Sequence, residues 1–213
     1  MKYKQILFDL DGTLTDSGPG IMRGAKYALN RLGIPIPPED ELRTIVGPPL
    51  GGSFAKFGVP ENLIDEAIRL YRVDYNDGGG KFINTVYAGI PELLQQLKAS
   101  GYRLFVATAK PEMLARDVLE NNGLSQYFEY IAGASFDHSR ESKAAVLRYL
   151  LEMFGGSGEA VLIGDTEYDV AGAKELSIPC IGVSWGYGTV DSMRAAGAEA
   201  IIGSPEQLPE YLL

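Results

Sequence analysis

After Tyr87 the spacing of apolar residues along the chain changes, and this change narrows the possible folds more than any other sequence feature. From there onwards, short apolar runs alternate with stretches whose apolar residues recur every three or four positions. The apolar runs predict strands buried on both faces, and the stretches between them predict helices. Strands that alternate with helices favour a parallel sheet covered on both sides. The sequence therefore predicts an α/β fold with a doubly wound parallel sheet.

The predicted elements follow one another at short intervals. Strands are predicted at 4–10, 102–107, 130–132, 160–164, 180–183 and 200–202. Helices of the alternating part are predicted at 90–99, 112–121, 142–154, 168–176, 190–196 and 205–212.

Residues 16–86 interrupt this alternation after the first strand. They show helical patterns alone, predicted around 21–32 and at 39–46, 50–57 and 62–76, and the glycine run 78–80 indicates a hinge or linker. We interpret 16–86 as an inserted helical cap, and 1–15 with 87–213 as the α/β core.

Two carboxylates, Asp9 and Asp11, follow the apolar end of the first predicted strand. Because strand side chains alternate, both start out on the same side. Their mutual repulsion indicates either a cation between them or a carboxylate that carries a proton during a reaction. The plainer alternative is an ordinary Asp-Gly turn at Asp11 and Gly12.

Further polar residues stand at the ends of two other predicted strands. In an open parallel sheet, ligands bind beyond the carboxyl ends of the strands. The residues there are Thr108, Ala109 and Lys110 after one strand and Asp165 and Asp169 after another, with Lys143 opening a predicted helix. Thr108 and Asp165 as helix caps, and both lysines as solvated side chains, are the plainer alternatives. The joint placement favours one site.

This set of residues suits phosphoryl transfer. A carboxylate can attack phosphorus and form an aspartyl-phosphate. Mg²⁺ prefers oxygen ligands and would neutralise clustered acids while polarising the phosphoryl group. A threonine hydroxyl and a lysine can hold the remaining phosphoryl oxygens.

Composition excludes several other function classes. The single histidine, His138, excludes a His-based triad or a His-rich metal site, and Cys180, the single cysteine, cannot form an internal disulfide. A net charge of −9 without a basic run argues against nucleic acid and acidic membrane surfaces as partners. No apolar run approaches the roughly 20 residues of a membrane span, and a cytoplasmic location is expected. The oligomeric state stays open, with a monomer slightly favoured.

Taken together, the motifs resemble the haloacid dehalogenase-like hydrolase superfamily, in its subgroup with a small helical (C1-type) cap. The motifs appear in order as Asp9-Leu10-Asp11-Gly12-Thr13, Thr108, Lys143 and Gly164-Asp165 with Asp169. Residues 11–17 and 108–111 resemble the phosphoglycolate phosphatase-like branch. Residues 107–111, 164–173 and 185–188 resemble its 5′-nucleotidase-like members. The resemblance implies a Rossmann-like core and a cap that closes over the site.

The resemblance also implies a role for each residue. Asp9 attacks phosphorus, and Asp11 protonates the leaving oxygen and then activates water. Mg²⁺ is bound by the Asp9 side chain, the Asp11 backbone carbonyl and Asp165, while Asp169 acts through water or orients its neighbours.

Phosphate binding is implied for Thr108, the amide of Ala109 and Lys143. Lys143 is followed by alanine, whereas many phosphoglycolate phosphatases have a Gly-Lys-Pro sequence there, so Lys110 is a second candidate. The same departure weakens phosphoglycolate as the specific substrate.

The leading hypothesis is a Mg²⁺-dependent phosphatase acting on a small phosphorylated metabolite, either a nucleoside 5′-monophosphate or phosphoglycolate. A sugar phosphomutase of the same fold and a non-catalytic binding protein stay open as alternatives. A dehalogenase is disfavoured, because carbon–halogen chemistry needs neither Mg²⁺ nor an acid at Asp11. Residues 47–50, Arg23, Lys26 and Phe54 are candidates to face the substrate, although helix packing explains them equally well.

Overall fold

The protein is described here by a computed structural model covering residues 2–135 and 139–212. The chain divides into two compact units, one formed by Met1–Thr15 with Val86–Leu213 and the other by Asp16–Thr85. His138 lies outside the described residues.

A six-stranded parallel sheet forms the centre of the first unit. The described strands are β1 (Gln5–Phe8), β2 (Thr15–Asp16), β3 (Thr85–Val86), β4 (Arg103–Pro111), β5 (Tyr130–Ala134), β6 (Ala160–Gly164), β7 (Cys180–Val183) and β8 (Ala200–Ile202). The sheet has the order β5-β4-β1-β6-β7-β8, and β2 pairs with β3 separately. Every pairing in the large sheet is parallel. The predicted parallel sheet is confirmed.

Helices cover both faces of this sheet. The α-helices of the described residues are α1 (Gly18–Arg31), α2 (Glu39–Leu42), α3 (Leu50–Lys56), α4 (Ile64–Arg72), α5 (Ile90–Ala99), α6 (Glu112–Asn121), α7 (Lys143–Phe154), α8 (Glu167–Glu175), α9 (Val190–Ala196) and α10 (Leu208–Tyr211). Short 3-10 helices lie at Arg43–Ile45, Glu61–Leu63, Gly80–Phe82, Ser125–Tyr127, Ser157–Glu159 and Pro205–Gln207.

The core consists of two apolar layers, one on each side of the sheet. Along β1, Ile6 and Phe8 face the layer that contains residues of α5, α6 and α10, while Leu7 faces the layer with residues of α7, α8 and α9. Strand side chains alternate in this way because successive Cβ atoms point to opposite faces. Cys180 is buried in the second layer.

Several predicted boundaries were wrong. Strand β4 continues to Pro111, so Thr108, Ala109 and Lys110 lie within the strand instead of after it. The reason is tertiary pairing: β4 resumes its contact with β5 at Pro111 after an irregularity that begins at Ala107. The first strand is shorter than predicted and ends at Phe8, which places Asp9 directly beyond it.

The second unit contains helices α1 to α4. A π-helical turn at Val73–Asp77 extends α4, and the glycine run that suggested a linker leads into a 3-10 helix inside the unit.

Arg23 pairs with Asp74 at 2.9 Å and Lys26 with Glu39 at 2.9 Å. Phe54 is fully buried against Tyr71. These contacts explain the three side chains by packing and pairing within the unit.

Among the described residues, no helix combines the length and apolarity that crossing a membrane requires.

Candidate active site

The site lies at the carboxyl ends of neighbouring strands. Strand β1 stands between β4 and β6, so Asp9 after β1 and Asp165 after β6 meet at one edge of the sheet. Gly12 lies in the turn that follows Asp9 and has a φ of +86°. A Cβ at Gly12 would clash with the Asp165 carboxylate, so this turn requires glycine for its conformation and for its close approach.

Three buried carboxylates converge at this edge. One oxygen each from Asp9, Asp165 and Asp169 lie within 4.8 Å of one another. Asp165 is fully buried, and Asp169 is 1% exposed. Carboxylates so close together and removed from water repel one another strongly unless cations compensate them.

Lys143 supplies one compensating charge. Its Nζ lies 2.7 Å from Oδ1 of Asp9 and 2.8 Å from Oδ1 of Asp169, and it donates a 2.8 Å hydrogen bond to the Ala107 carbonyl. Burial alone would lower the pKa of Lys143, but Asp169 and Asp9 outweigh burial and raise it above its ordinary value. Lys143 is therefore a fixed cation beside Asp9, and the solvated alternative was wrong.

Burial and mutual repulsion raise the pKa values of two of these carboxylates. Burial raises the pKa of Asp9 to about 6, with Asp169 adding to the rise and Lys143 opposing it. Burial also raises the pKa of Asp165 well above its usual range, helped by Asp169 and Asp9. The site thus carries more buried negative charge than Lys143 neutralises.

Asp11 and Lys110 form a second pair in the site. The Lys110 Nζ lies 2.8 Å and 2.7 Å from the two carboxylate oxygens of Asp11, and the lysine side chain is 4% exposed. Thr108 is buried, and its hydroxyl oxygen accepts a hydrogen bond from the Lys110 backbone N–H. Ala109 is exposed. Lys110 is thus the partner of Asp11, whereas Lys143 is the partner of Asp9.

Asp169 and its neighbour Thr166 organise the start of α8. Oδ2 of Asp169 accepts hydrogen bonds from the Thr166 backbone N–H at 3.0 Å and from its hydroxyl at 2.8 Å. Thr166 is the residue that caps α8, and Pro111 precedes α6, so Asp165 and Thr108 are not helix caps as the plainer alternatives held. One oxygen of Asp169 therefore belongs to the cap of α8, and the other lies 2.8 Å from Nζ of Lys143.

Contacts of Asp165 reveal site residues that the sequence reasoning missed. The Thr13 hydroxyl donates to Oδ1 at 3.3 Å, and the Tyr187 backbone N–H donates to Oδ2 at 2.8 Å. Tyr187 lies in the loop that follows β7 (Cys180–Val183), the next strand after β6 in the sheet. Considering the end of a fourth strand would have found it.

The donor set fits a hard divalent cation. Oxygen atoms of buried carboxylates are the ligands that Mg²⁺ and Ca²⁺ prefer, and no described histidine or cysteine joins the cluster. A divalent cation would also offset the unbalanced negative charge of these three acids. Asp9, Asp165 and Asp169 are therefore candidate metal ligands.

We expect Asp165→Asn to stabilise the metal-free protein. Asparagine keeps an acceptor for the Tyr187 N–H but removes a buried charge, so the free energy of unfolding in EDTA should rise by about 1 kcal/mol or more. Divalent cation should raise the melting temperature of the wild type more than that of the variant, because the variant has lost one charged ligand. Differential scanning calorimetry with and without EDTA measures both. A variant less stable than the wild type in EDTA would contradict this electrostatic description.

Comparison with known proteins connects the site to one family. The sequence profile described as haloacid dehalogenase-like hydrolase matches residues 6–183. A 5′-nucleotidase from Pseudomonas aeruginosa is 40% identical over 197 residues, which cover 92% of this chain and 89% of the relative. A crystal structure described as a predicted phosphatase from Clostridium acetobutylicum superposes with a TM-score of 0.93 at 42% identity, covering 100% of this chain and 99% of that chain.

A relative named for a different activity has a similar level of sequence identity. The tyrosine-protein kinase PtkA from Mycobacterium tuberculosis is 44% identical over 187 residues, which cover 87% of this chain. The chain spans only 64% of the length of that relative.

Proposed function

The chain belongs to the haloacid dehalogenase-like hydrolases, and within that family we propose that it is a Mg²⁺-dependent phosphatase of small phosphate monoesters. The observation that carries the proposal is the position of Asp9. Its carboxylate lies at the end of the central strand, 2.7 Å from a buried lysine and inside a cluster of acids suited to a cation. A carboxylate so placed can attack a phosphoryl group whose charge is neutralised from both sides.

In the first half-reaction, an Asp9 oxygen forms a bond to phosphorus while the bond from phosphorus to the ester oxygen breaks. Asp11 enters this step protonated and gives its proton to the leaving oxygen, which departs as an alcohol, so that Asp11 becomes the carboxylate whose two oxygens contact Lys110. The phosphoryl group then resides on Asp9 as an acyl phosphate. Lys143, which already contacts Asp9, neutralises the phosphoryl oxygens, and Thr108 with the Ala109 amide completes their binding.

In the second half-reaction, Asp11 takes a proton from water, whose oxygen bonds to phosphorus as the bond to Asp9 breaks. Inorganic phosphate and both free carboxyl groups result. Lys110 holds the Asp11 carboxylate by both oxygens, so it fixes the orientation of the group that must move protons. We assign Lys143 to phosphate and Lys110 to Asp11.

Asp9, Asp165 and the backbone carbonyl of Asp11 would hold Mg²⁺, and Asp169 would orient Lys143. The bound cation supplies charge neutralisation among the acids and polarises the phosphoryl group. The role of the helical unit as a cap that closes over the site stays a prediction.

For the substrate, we propose a nucleoside 5′-monophosphate. The support is the 5′-nucleotidase relative, which aligns over 92% of this chain, and the alanine that follows Lys143 in place of proline. The kinase name of another relative raises a second question, namely which acceptor receives the phosphoryl group. A hydroxyl acceptor would make the chain a mutase or kinase, and water makes it a phosphatase.

A metabolite panel tests this proposal. Phosphate release is measured from nucleoside 5′-monophosphates, phosphoglycolate and sugar phosphates, with Mg²⁺ or with EDTA. Parallel samples are followed for sugar-phosphate isomers and for transfer from ATP to protein. We expect Mg²⁺-dependent release with the highest kcat/KM for a nucleoside monophosphate. Isomers or phosphorylated protein without phosphate release would favour a hydroxyl acceptor, and no turnover at all would favour a binding protein.

The affinity for Mg²⁺ should fall in acid. The pKa of Asp9 is raised to about 6, above the value of about 3.9 in an unfolded chain. The folded metal-free protein therefore retains a proton between these values, and this stabilising contribution is lost as the pH rises through about 6. Below pH 6 Mg²⁺ must displace that proton, so its Kd should be about tenfold weaker at pH 5 than at pH 7.5. Titration calorimetry at both pH values measures the Kd for Mg²⁺. A Kd that does not change with pH would contradict this prediction.

A further inference from the structure

The loop 185–188, which follows β7, packs against the Asp165 carboxylate. The Tyr187 backbone N–H donates to Oδ2 of Asp165 at 2.8 Å, while the Thr13 hydroxyl donates to Oδ1 at 3.3 Å. Each carboxylate oxygen thus has a donor from a different segment. Two such contacts fix the rotation of a carboxylate more firmly than its side-chain torsions alone.

Trp185 ties this loop to the turn that carries Asp9 and Asp11. Its indole Nε1–H donates a 3.1 Å hydrogen bond to the Thr13 backbone carbonyl. The half-buried indole ring also packs edge-on against Tyr87, with 6.5 Å between ring centroids. Thr13 is therefore held through its carbonyl by the loop while its hydroxyl holds Asp165.

At Gly186 the loop backbone packs closely against both the Asp165 side chain and the Gly12 backbone. A Cβ there would clash with Oδ2 of Asp165 and would lie 2.5 Å from the Gly12 carbonyl oxygen. Alanine would therefore push the Asp165 carboxylate away from its position or displace the turn. The glycine is required here because of this close approach.

We propose that loop 185–188 is a positioning element that sets the orientation of Asp165 towards the metal, with Trp185 and Gly186 as its key residues. This inference rests on the proposed function, because it assigns Asp165 as a Mg²⁺ ligand. Neither residue touches the reacting atoms. Partners of metal ligands commonly determine metal affinity, and their loss typically weakens binding about 10- to 100-fold.

Two variants and two matched controls test this inference. Trp185→Phe keeps an aromatic ring beside Tyr87 but removes the N–H donor, and Gly186→Ala adds the clashing methyl group. Tyr102→Phe removes another side-chain hydrogen bond of this unit, to the Leu212 carbonyl at 3.4 Å. Gly158→Ala adds a Cβ that meets no atom within 4 Å.

The readouts separate positioning from a merely structural role. Titration calorimetry with MgCl₂ alone gives the Kd, scanning calorimetry in EDTA checks folding, and kinetics give KM for Mg²⁺ and for the ester. We expect the Mg²⁺ Kd of Trp185→Phe and Gly186→Ala to rise by about tenfold or more, with the ester KM at saturating Mg²⁺ unchanged. Both controls should retain the wild-type Kd.

Failure of this inference is distinguishable from failure of the proposed function. Folded Trp185→Phe or Gly186→Ala protein that binds Mg²⁺ with the wild-type Kd overturns the positioning role while the phosphatase assignment stands. If one variant does not fold, the other decides. Wild-type protein that binds no Mg²⁺ and releases no phosphate overturns the proposed function, and the inference with it.

Discussion

Replacing Asp9 with asparagine should reduce phosphate release by about 10⁴-fold or more. An amide is a far weaker nucleophile than a carboxylate, and no other side chain in the cluster occupies the end of β1. Asparagine matches aspartate in shape, so the fold should persist. The kcat of purified protein at saturating Mg²⁺ and substrate measures the effect.

A matched control isolates the nucleophile from general effects of charge. Asp191→Asn removes an exposed carboxylate at the start of α9 in the same unit and should leave kcat unchanged. Circular dichroism and scanning calorimetry in EDTA verify that Asp9→Asn is folded. A folded Asp9→Asn protein with more than about 10% of wild-type kcat would mean that Asp9 is not the nucleophile.

Replacing Lys143 with methionine should destabilise the metal-free protein by about 3 to 5 kcal/mol. Methionine fills nearly the same volume, but Asp9 and Asp169 would lose the buried cation between them, 2.7 Å and 2.8 Å away. Leaving a buried carboxylate without a compensating cation lowers the free energy of unfolding more than most single substitutions do. The free energy of unfolding in EDTA, from urea denaturation, measures this loss.

The double variant Lys143→Met with Asp9→Asn should recover part of this loss, because it removes one of the two stranded charges. Lys174→Met, which changes an exposed lysine on α8, should alter stability by no more than about 0.5 kcal/mol. A Lys143→Met protein within about 1 kcal/mol of the wild type in EDTA would show that the pairing contributes little.

The architecture could be predicted because it depends on periodicity. Apolar runs such as 160–164 and 180–183 are too short for helices, and helical patterns separate them, so the parallel sheet followed. The extension of β4 through Thr108 to Pro111 could not be predicted, because that segment is partly polar and owes its strand conformation to β5. Such pairing over distance leaves no local signal in the sequence.

The convergence of three carboxylates could be predicted, but not which lysine each acid would contact. The rule that ligands bind at strand ends brought Asp9, Asp165 and Asp169 together, and the structure places their carboxylates within 4.8 Å. Sequence spacing could not tell that Lys143 would contact Asp9 while Lys110 contacts Asp11. Partner choice depends on side-chain direction in three dimensions, and the same holds for the donors to Asp165, which come from Thr13 after β1 and Tyr187 after β7.

The most direct test of the mechanism is to look for a phosphoryl group on Asp9. The protein is mixed with substrate and Mg²⁺, quenched in acid within the first turnover, digested with pepsin and analysed by mass spectrometry. We expect the peptide containing Asp9 to carry the mass of one phosphoryl group, which hydroxylamine removes and which is absent with EDTA or in Asp9→Asn. Steady release of phosphate without any such adduct, at every quench time in the pre-steady state, would contradict an aspartyl-phosphate mechanism.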